Sequence, residues 1–150
     1  MLGRLILAGL MMLPAAYPAV PAPAAHFGHP IGADRKLFDW EKVVSYFNAL
    51  PKASDRIVVK EIGKSSEGRP MIAAFISSAA TIKNLDKYRE IQQRLADPRK
   101  TTLQQAQEFV ANGKAVVMIT CSIHATEVAS THTAVEFAYR LLTEDKPKFR

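Results

Sequence analysis

The fold prediction rests on one stretch of the sequence, Lys114-Ala115-Val116-Val117-Met118-Ile119-Thr120-Cys121-Ser122, which runs into Ile123-His124-Ala125-Thr126-Glu127. Its apolar, β-branched residues predict a buried strand over residues 114–122. Asn112-Gly113 before it predicts a turn, and apolar residues at helical spacing from Val128 to Leu142 predict a helix after it. A buried strand that leads directly into a helix is typical of an α/β domain.

A helix and a β-hairpin are predicted ahead of this stretch. Asp39 is placed to cap the helix and Pro51 to end it. Residues 56–63 and 71–77 are strand candidates, and the glycine and proline within residues 65–70 favour a turn between them. The helix has its apolar residues at helical spacing: Trp40, Val43, Val44, Phe47 and Leu50.

Two more helices are predicted between the hairpin and residue 114. Residues 85–95 carry an apolar stripe, with Glu90 and Arg94 spaced to form an ion pair on its flank. Thr101 with Gln104 resembles a capping box that opens the second helix. The order helix–strand–strand–helix–helix–strand–helix predicts an α/β fold, with a mixed sheet that is flanked by helices and incomplete at the C-terminus.

The N-terminal residues predict export. Arg4 precedes an apolar run over residues 5–13 that is too short to span a bilayer, and Ala22-Pro23-Ala24 offers a cleavage site. We therefore predict a signal peptide over residues 1–25, a secreted or periplasmic location, and no stable membrane insertion after cleavage. Residues 26–37 are predicted to form an extended arm, because they show no periodicity.

Charge and cysteine content narrow the class of protein. The formal net charge is +6, but the basic residues are scattered rather than clustered with aromatic residues, which argues against nucleic-acid binding. Cys121 is the single cysteine, so no internal disulfide can form. Its apolar neighbours predict a buried thiol.

His124 and Glu127 are the candidate metal ligands. They follow the predicted strand at its carboxyl end, where open α/β sheets bind ligands, and residues three apart face the same side of a helical turn. Imidazole nitrogen and carboxylate oxygen are both ligands of zinc, and a catalytic zinc site needs three protein ligands. The alternative interpretation is a capping glutamate beside a histidine that bonds the backbone.

No other side chain of the sequence is expected to complete this site. His132 lies about 140° around the helix from Glu127 and is predicted to be a surface histidine. Cys121 falls within the predicted strand, and His26 and His29 fall in the predicted arm. A third ligand is therefore expected beyond Arg150.

Two segments together resemble a known family. Residues 61–71, Glu-Ile-Gly-Lys-Ser-Ser-Glu-Gly-Arg-Pro-Met, closely resemble the hairpin segment of zinc carboxypeptidases of the carboxypeptidase A/B type. Later in the chain, His124-x-x-Glu127 matches that family's zinc motif. Residues 84–90 and 95–99 look like its bacterial exported branch. The resemblance covers roughly residues 38–142, and we predict that residues 38–150 form the N-terminal part of the catalytic domain.

The resemblance implies a zinc carboxypeptidase-like fold and a metallopeptidase activity on peptide or protein substrates. It implies one Zn²⁺ ion held by His124, Glu127 and a histidine far downstream, with a late glutamate as general base. The catalytic residues are therefore expected beyond Arg150, and residues 1–150 alone are expected to be inactive.

The sequence departs from the family at Thr126. Many members have arginine just before the motif glutamate, where it helps to bind substrate, and here that position is Thr126. An amidase-like or cell-wall-peptide role therefore stays open beside carboxypeptidase activity. A further alternative is a non-catalytic periplasmic binding or interaction module that retains the fold.

Overall fold

The structure, a computed structural model, describes residues 17–145. These residues form helices and one two-stranded antiparallel sheet. The elements are α1 (Pro23–Phe27), α2 (Trp40–Ala53), β1 (Ile57–Lys64), β2 (Pro70–Ile76), α3 (Ala79–Lys83), α4 (Leu85–Ala96), a 3₁₀ turn (Pro98–Lys100), α5 (Leu103–Asn112) and α6 (Val128–Thr143). The mixed sheet that the sequence predicted is not seen within residues 17–145, because the only strand pair described there is antiparallel.

The hairpin prediction is confirmed. β1 and β2 pair antiparallel from Ile57 opposite Ile76 to Lys64 opposite Pro70, with a register shift between Glu61 and Gly63. Gly68 adopts φ +77° in the turn, a conformation that costs glycine little. Pro70 supplies a carbonyl oxygen that accepts a 2.8 Å hydrogen bond from the Trp40 indole, which ties the hairpin to the start of α2.

The core lies between α2 and α6. Tyr46 and Leu50 of α2 are fully buried, as is Val135 of α6. Asp39 caps α2 as predicted, by accepting a hydrogen bond from the Lys42 amide. Pro51 does not end α2, which continues to Ala53. The N–H that proline lacks falls in the last turn, so its absence removes only a terminal hydrogen bond.

The segment before α2 packs on the core and differs from the extended arm expected over residues 26–37. It begins with α1, whose Phe27 is buried against Phe38 and Tyr46. The Tyr46 hydroxyl donates a 3.0 Å hydrogen bond to the Pro21 carbonyl. Aromatic contacts therefore hold this segment against α2. The sequence pattern does not show them, because α1 has only five residues and the residues between α1 and α2 show no periodicity.

The predicted strand over residues 114–122 is wrong for the structure described. These residues carry no strand, and no backbone hydrogen bond within residues 17–145 joins them to β1 or β2. Val117 and Met118 are 82% and 83% exposed, and Cys121 is exposed rather than buried. A buried strand needs neighbours on both edges and faces, and the β1–β2 hairpin does not supply them.

The helices between the hairpin and residue 114 are confirmed, with two corrections. The capping box of α5 is formed by Thr102 and Gln105, one residue later than predicted. Arg94 does not pair with Glu90; its guanidinium hydrogen-bonds the Thr101 hydroxyl at 3.2 Å. Arg94 therefore joins α4 to the start of α5. Within residues 17–145, every helix is too short or too polar to span a bilayer.

Arg56 caps the carboxyl end of α6, and we predict that its loss destabilises the fold. Its guanidinium donates hydrogen bonds to the carbonyls of Leu141 (3.1 Å) and Leu142 (3.3 Å). Arg56→Ala should lower the free energy of unfolding by about 1–2 kcal/mol, because two terminal carbonyls lose a charged donor. Urea denaturation checks this. The control, Arg89→Ala, breaks an exposed ion pair with Asp86 and should change stability by less than about 0.5 kcal/mol.

Candidate metal centre

His124 and Glu127 come together immediately before α6. A turn places them, in which the Glu127 amide donates to the His124 carbonyl at 3.1 Å. His124 Nδ1 lies 2.9 Å from Glu127 Oε1, and both side chains are substantially exposed. One nitrogen and one carboxylate oxygen are thus close enough to hydrogen-bond to each other, and both are atoms of a kind that zinc accepts as ligands.

The second carboxylate oxygen of Glu127 is held by the loop itself. Oε2 accepts hydrogen bonds from the Ser122 hydroxyl at 3.0 Å and from the amides of Ile123 and His124 at 3.3 Å. The hydrogen bond from the His124 side chain is the largest cause that lowers the pKa of Glu127, followed by these backbone and hydroxyl donors, to about 2. Glu127 is therefore ionised at neutral pH, the form that binds a metal.

The alternative interpretation of Glu127 as a helix cap is not supported by this geometry. Glu127 occupies the N-cap position of α6, but its side chain makes no capping hydrogen bond to that helix. Its carboxylate points back to residues 122–124 and accepts hydrogen bonds from them. The ring of His124 contacts that carboxylate.

Ser122 is a residue of the site that the sequence analysis missed. It adopts φ +90°, a conformation that a residue with a side chain rarely adopts. Its hydroxyl lies 2.7 Å from the His124 carbonyl oxygen and 3.0 Å from Glu127 Oε2. The hydroxyl has one proton and serves one of these acceptors at a time. The signal in the sequence was a small polar residue between the apolar run and the histidine.

His132 is buried, which corrects the prediction of a surface histidine. Its ring stacks on Phe38 with 3.9 Å between ring centroids and 13° between planes. Burial, followed by the charge of His29, lowers the pKa of His132. The helical spacing in the sequence does not reveal that Phe38 covers this face of α6.

A cavity of about 460 Å³ lies beside the two candidate ligands. Its walls come from residues 37–43 and from α6, and the loop with His124 and Glu127 forms one end. The imidazole nitrogen of His124 and the carboxylate oxygen of Glu127 are both atoms that zinc accepts as ligands. Within residues 17–145, however, no group of three candidate ligands is close enough to hold a metal ion.

Comparison with known proteins gives one match. A family model described as zinc carboxypeptidase matches residues 43–150, more than two thirds of the chain. The matched segment contains the β1–β2 hairpin as well as His124 and Glu127. Searches of curated proteins and of solved structures gave no match.

We predict that Glu127 titrates near pH 2 and that its neighbours set this value. The carboxyl ¹³C shift of Glu127, followed by NMR during acidification, reports it. His124→Ala should raise the pKa most, toward the ordinary value of 4.5, because it removes the largest cause. Ser122→Ala should raise it less. The control, Ser66→Ala in the hairpin turn, should leave it unchanged.

The lowered pKa of Glu127 determines how its contribution to folding stability changes with pH. The native pKa of Glu127 is below the unfolded value, so its contribution to stability is complete above pH 4.5 and is lost as the pH falls from 4.5 to 2. A wild-type midpoint near 4.5 would contradict the hydrogen-bonded arrangement.

Proposed function

The chain belongs to the zinc carboxypeptidase family, and on this basis we propose that it is a zinc-dependent hydrolase of peptide bonds, with His124 and Glu127 as two of the ligands of one Zn²⁺ ion. The observation that carries the proposal is the 2.9 Å approach of His124 Nδ1 and Glu127 Oε1 within the segment that matches the family. Peptides or proteins are the proposed substrates.

The surroundings of Glu127 support this role. Its Oε2 atom is held by three donors of residues 122–124, which leaves Oε1 directed at His124. Hydrogen-bonded carboxylates of this kind keep their orientation when they bind a metal. A bound zinc ion would acidify a water molecule and polarise the scissile carbonyl. The residues of this chain would orient that ion and expose it to the cavity beside it.

We propose that the third ligand and the general base lie outside residues 17–145, as the family resemblance implies. Residues 1–150 alone would then bind zinc weakly and hydrolyse no peptide. The alternative is a non-catalytic binding module that keeps the fold, and its support is Thr126 at a position where many family members have a substrate-binding arginine. Peptide hydrolysis by the protein from its source cell, abolished by His124→Ala, would exclude this alternative.

We predict that the chain binds Zn²⁺ through His124 and Glu127. Competition with a coloured chelator measures the affinity, and cobalt substitution reports the ligands by its absorption spectrum. His124→Ala and Glu127→Gln should each weaken binding by roughly tenfold or more, because each removes one donor. His26→Ala is the matched control for a histidine away from the site and should not change the affinity. Equal zinc affinity in wild type and His124→Ala would refute the proposal.

We also propose that the protein is exported, with residues 1–25 as its signal peptide. The support is sequence patterning, since residues 1–16 lie outside the described residues. Mass spectrometry of the protein from the periplasm or medium should find a mature N-terminus near His26. Cleavage there would divide α1 and would remove Pro21, whose carbonyl accepts the Tyr46 hydrogen bond. A cell-associated protein that keeps Tyr17 would contradict export with cleavage.

A further inference from the structure

The bond that the proposed signal-peptide cleavage would break lies inside α1. The proposed signal peptide ends at Ala25, and α1 runs from Pro23 to Phe27. The amides of Ala25 and His26 donate hydrogen bonds to the Ala22 carbonyl at 3.0 Å and 3.3 Å. A protease that binds its substrate as an extended strand needs these backbone groups to be free. Cleavage after Ala25 therefore requires α1 to unwind.

Two residues of α1 would have to leave the core when the helix unwinds. The side chains of Ala22, Ala24 and Ala25 are exposed, so they present no barrier to a protease. Pro23 and Phe27, in contrast, are buried. Unwinding α1 moves their apolar surface into water, which disfavours the open form of this segment.

Contacts on both sides of the bond hold α1 on the core. Ahead of it, the Pro21 carbonyl accepts a 3.0 Å hydrogen bond from the Tyr46 hydroxyl, and Val20 packs against the core cluster. After it, Phe27 is 6% exposed and stacks on Phe38 with 4.1 Å between ring centroids. Residues that the cleavage would separate are thus attached to the same core.

The helix α1 depends on these contacts because it is too short to be stable alone. It has five residues and ends at Gly28, which adopts φ +81°. Isolated helices of this length do not persist in water. A change that weakens the contacts to Tyr46 or Phe38 should therefore unwind α1 and open the bond after Ala25.

We propose that the fold masks its own signal-peptide cleavage site: a signal peptidase cuts after Ala25 in the unfolded chain, and a chain that folds first keeps residues 17–25 packed on its core. The proposal rests on the proposed export, because that export supplies the cleavage site. The folded precursor and the cleaved protein are then alternative products, and the order of folding and cleavage decides between them.

Leu50→Asp separates the effect of the fold from that of the cleavage sequence. Leu50 is fully buried, so a carboxylate there should unfold the chain while residues 1–25 stay unchanged. Purified full chains are incubated with a detergent-solubilised bacterial signal peptidase, and mass spectrometry measures the new N-terminus at His26. We expect the wild type to be cut at least about tenfold more slowly than Leu50→Asp. Circular dichroism checks which chains are folded.

Tyr46→Phe tests one anchor of α1 in a chain that stays folded. The variant loses only the hydroxyl that donates to the Pro21 carbonyl, and the sequence around the cleavage site is unchanged. Cutting after Ala25 should become roughly fivefold faster than in the wild type, because proteolysis follows the population of the open form. The matched control, Tyr88→Phe, makes the same change on α4, outside the core between α2 and α6, and should leave the rate unchanged.

Hydrogen exchange measures the same opening without a protease. The Gly28 amide donates to the Ala24 carbonyl at 3.0 Å and should exchange roughly fivefold faster in Tyr46→Phe than in the wild type. The Gly113 amide, which donates to the Phe109 carbonyl at 2.7 Å, is the internal reference and should not change. An unchanged Gly28 exchange rate in Tyr46→Phe would overturn the role of Tyr46 in masking the site.

The outcomes distinguish failure of the masking from failure of the proposed export. Equal cutting of the wild type and Leu50→Asp would overturn the masking, although the peptidase then recognises the site. If Leu50→Asp is not cut, the cleavage site is wrong, and both the export with cleavage and the masking are overturned, while zinc binding at His124 is unaffected. Slow cutting of the wild type, fast cutting of Leu50→Asp and faster Gly28 exchange in Tyr46→Phe support the proposal.

Discussion

The packing of α2 against α6 is the contact on which the rest of the structure depends. Tyr46 and Leu50 meet Val135 in a fully buried cluster, and this fixes the position of α6. Glu127 directly precedes that helix, so the packing also fixes one end of the candidate site. A mutation that loosened this core would therefore affect the site even though it touches neither His124 nor Glu127.

The carboxylate of Glu127 organises the loop in front of α6. One oxygen accepts hydrogen bonds from Ser122, Ile123 and His124, and the other is hydrogen-bonded to the His124 ring. A single ionised group thus satisfies two backbone amides and holds Ser122 at φ +90°. Hydrogen bonds to a charged acceptor are stronger than those between neutral groups, which offsets the cost of this backbone conformation.

The sequence predicted correctly those features that depend on neighbouring residues. It did not predict the features that depend on residues distant in the sequence. The hairpin and the α2 cap follow from turn residues and from Asp39, so both were predictable. The meeting of His124 with Glu127 follows from their spacing. The burial of His132 was not predictable, because Phe38 reaches it from a segment without periodicity. The Ser122 conformation likewise depends on the carboxylate five residues later.

The apolar residues 114–122 show that a strand-like sequence forms a strand only when neighbouring strands are present to pair with it. These residues have the pattern of a buried strand, yet Val117 and Met118 are exposed and unpaired in residues 17–145. Burial of apolar surface stabilises a protein by about 25 cal/mol for each Å² removed from water. Covering these exposed side chains would therefore be strongly favourable. Any sheet neighbour that paired with residues 114–122 would also fix the backbone leading into Ser122. Such pairing would add to the constraint that the Glu127 carboxylate already places on this loop.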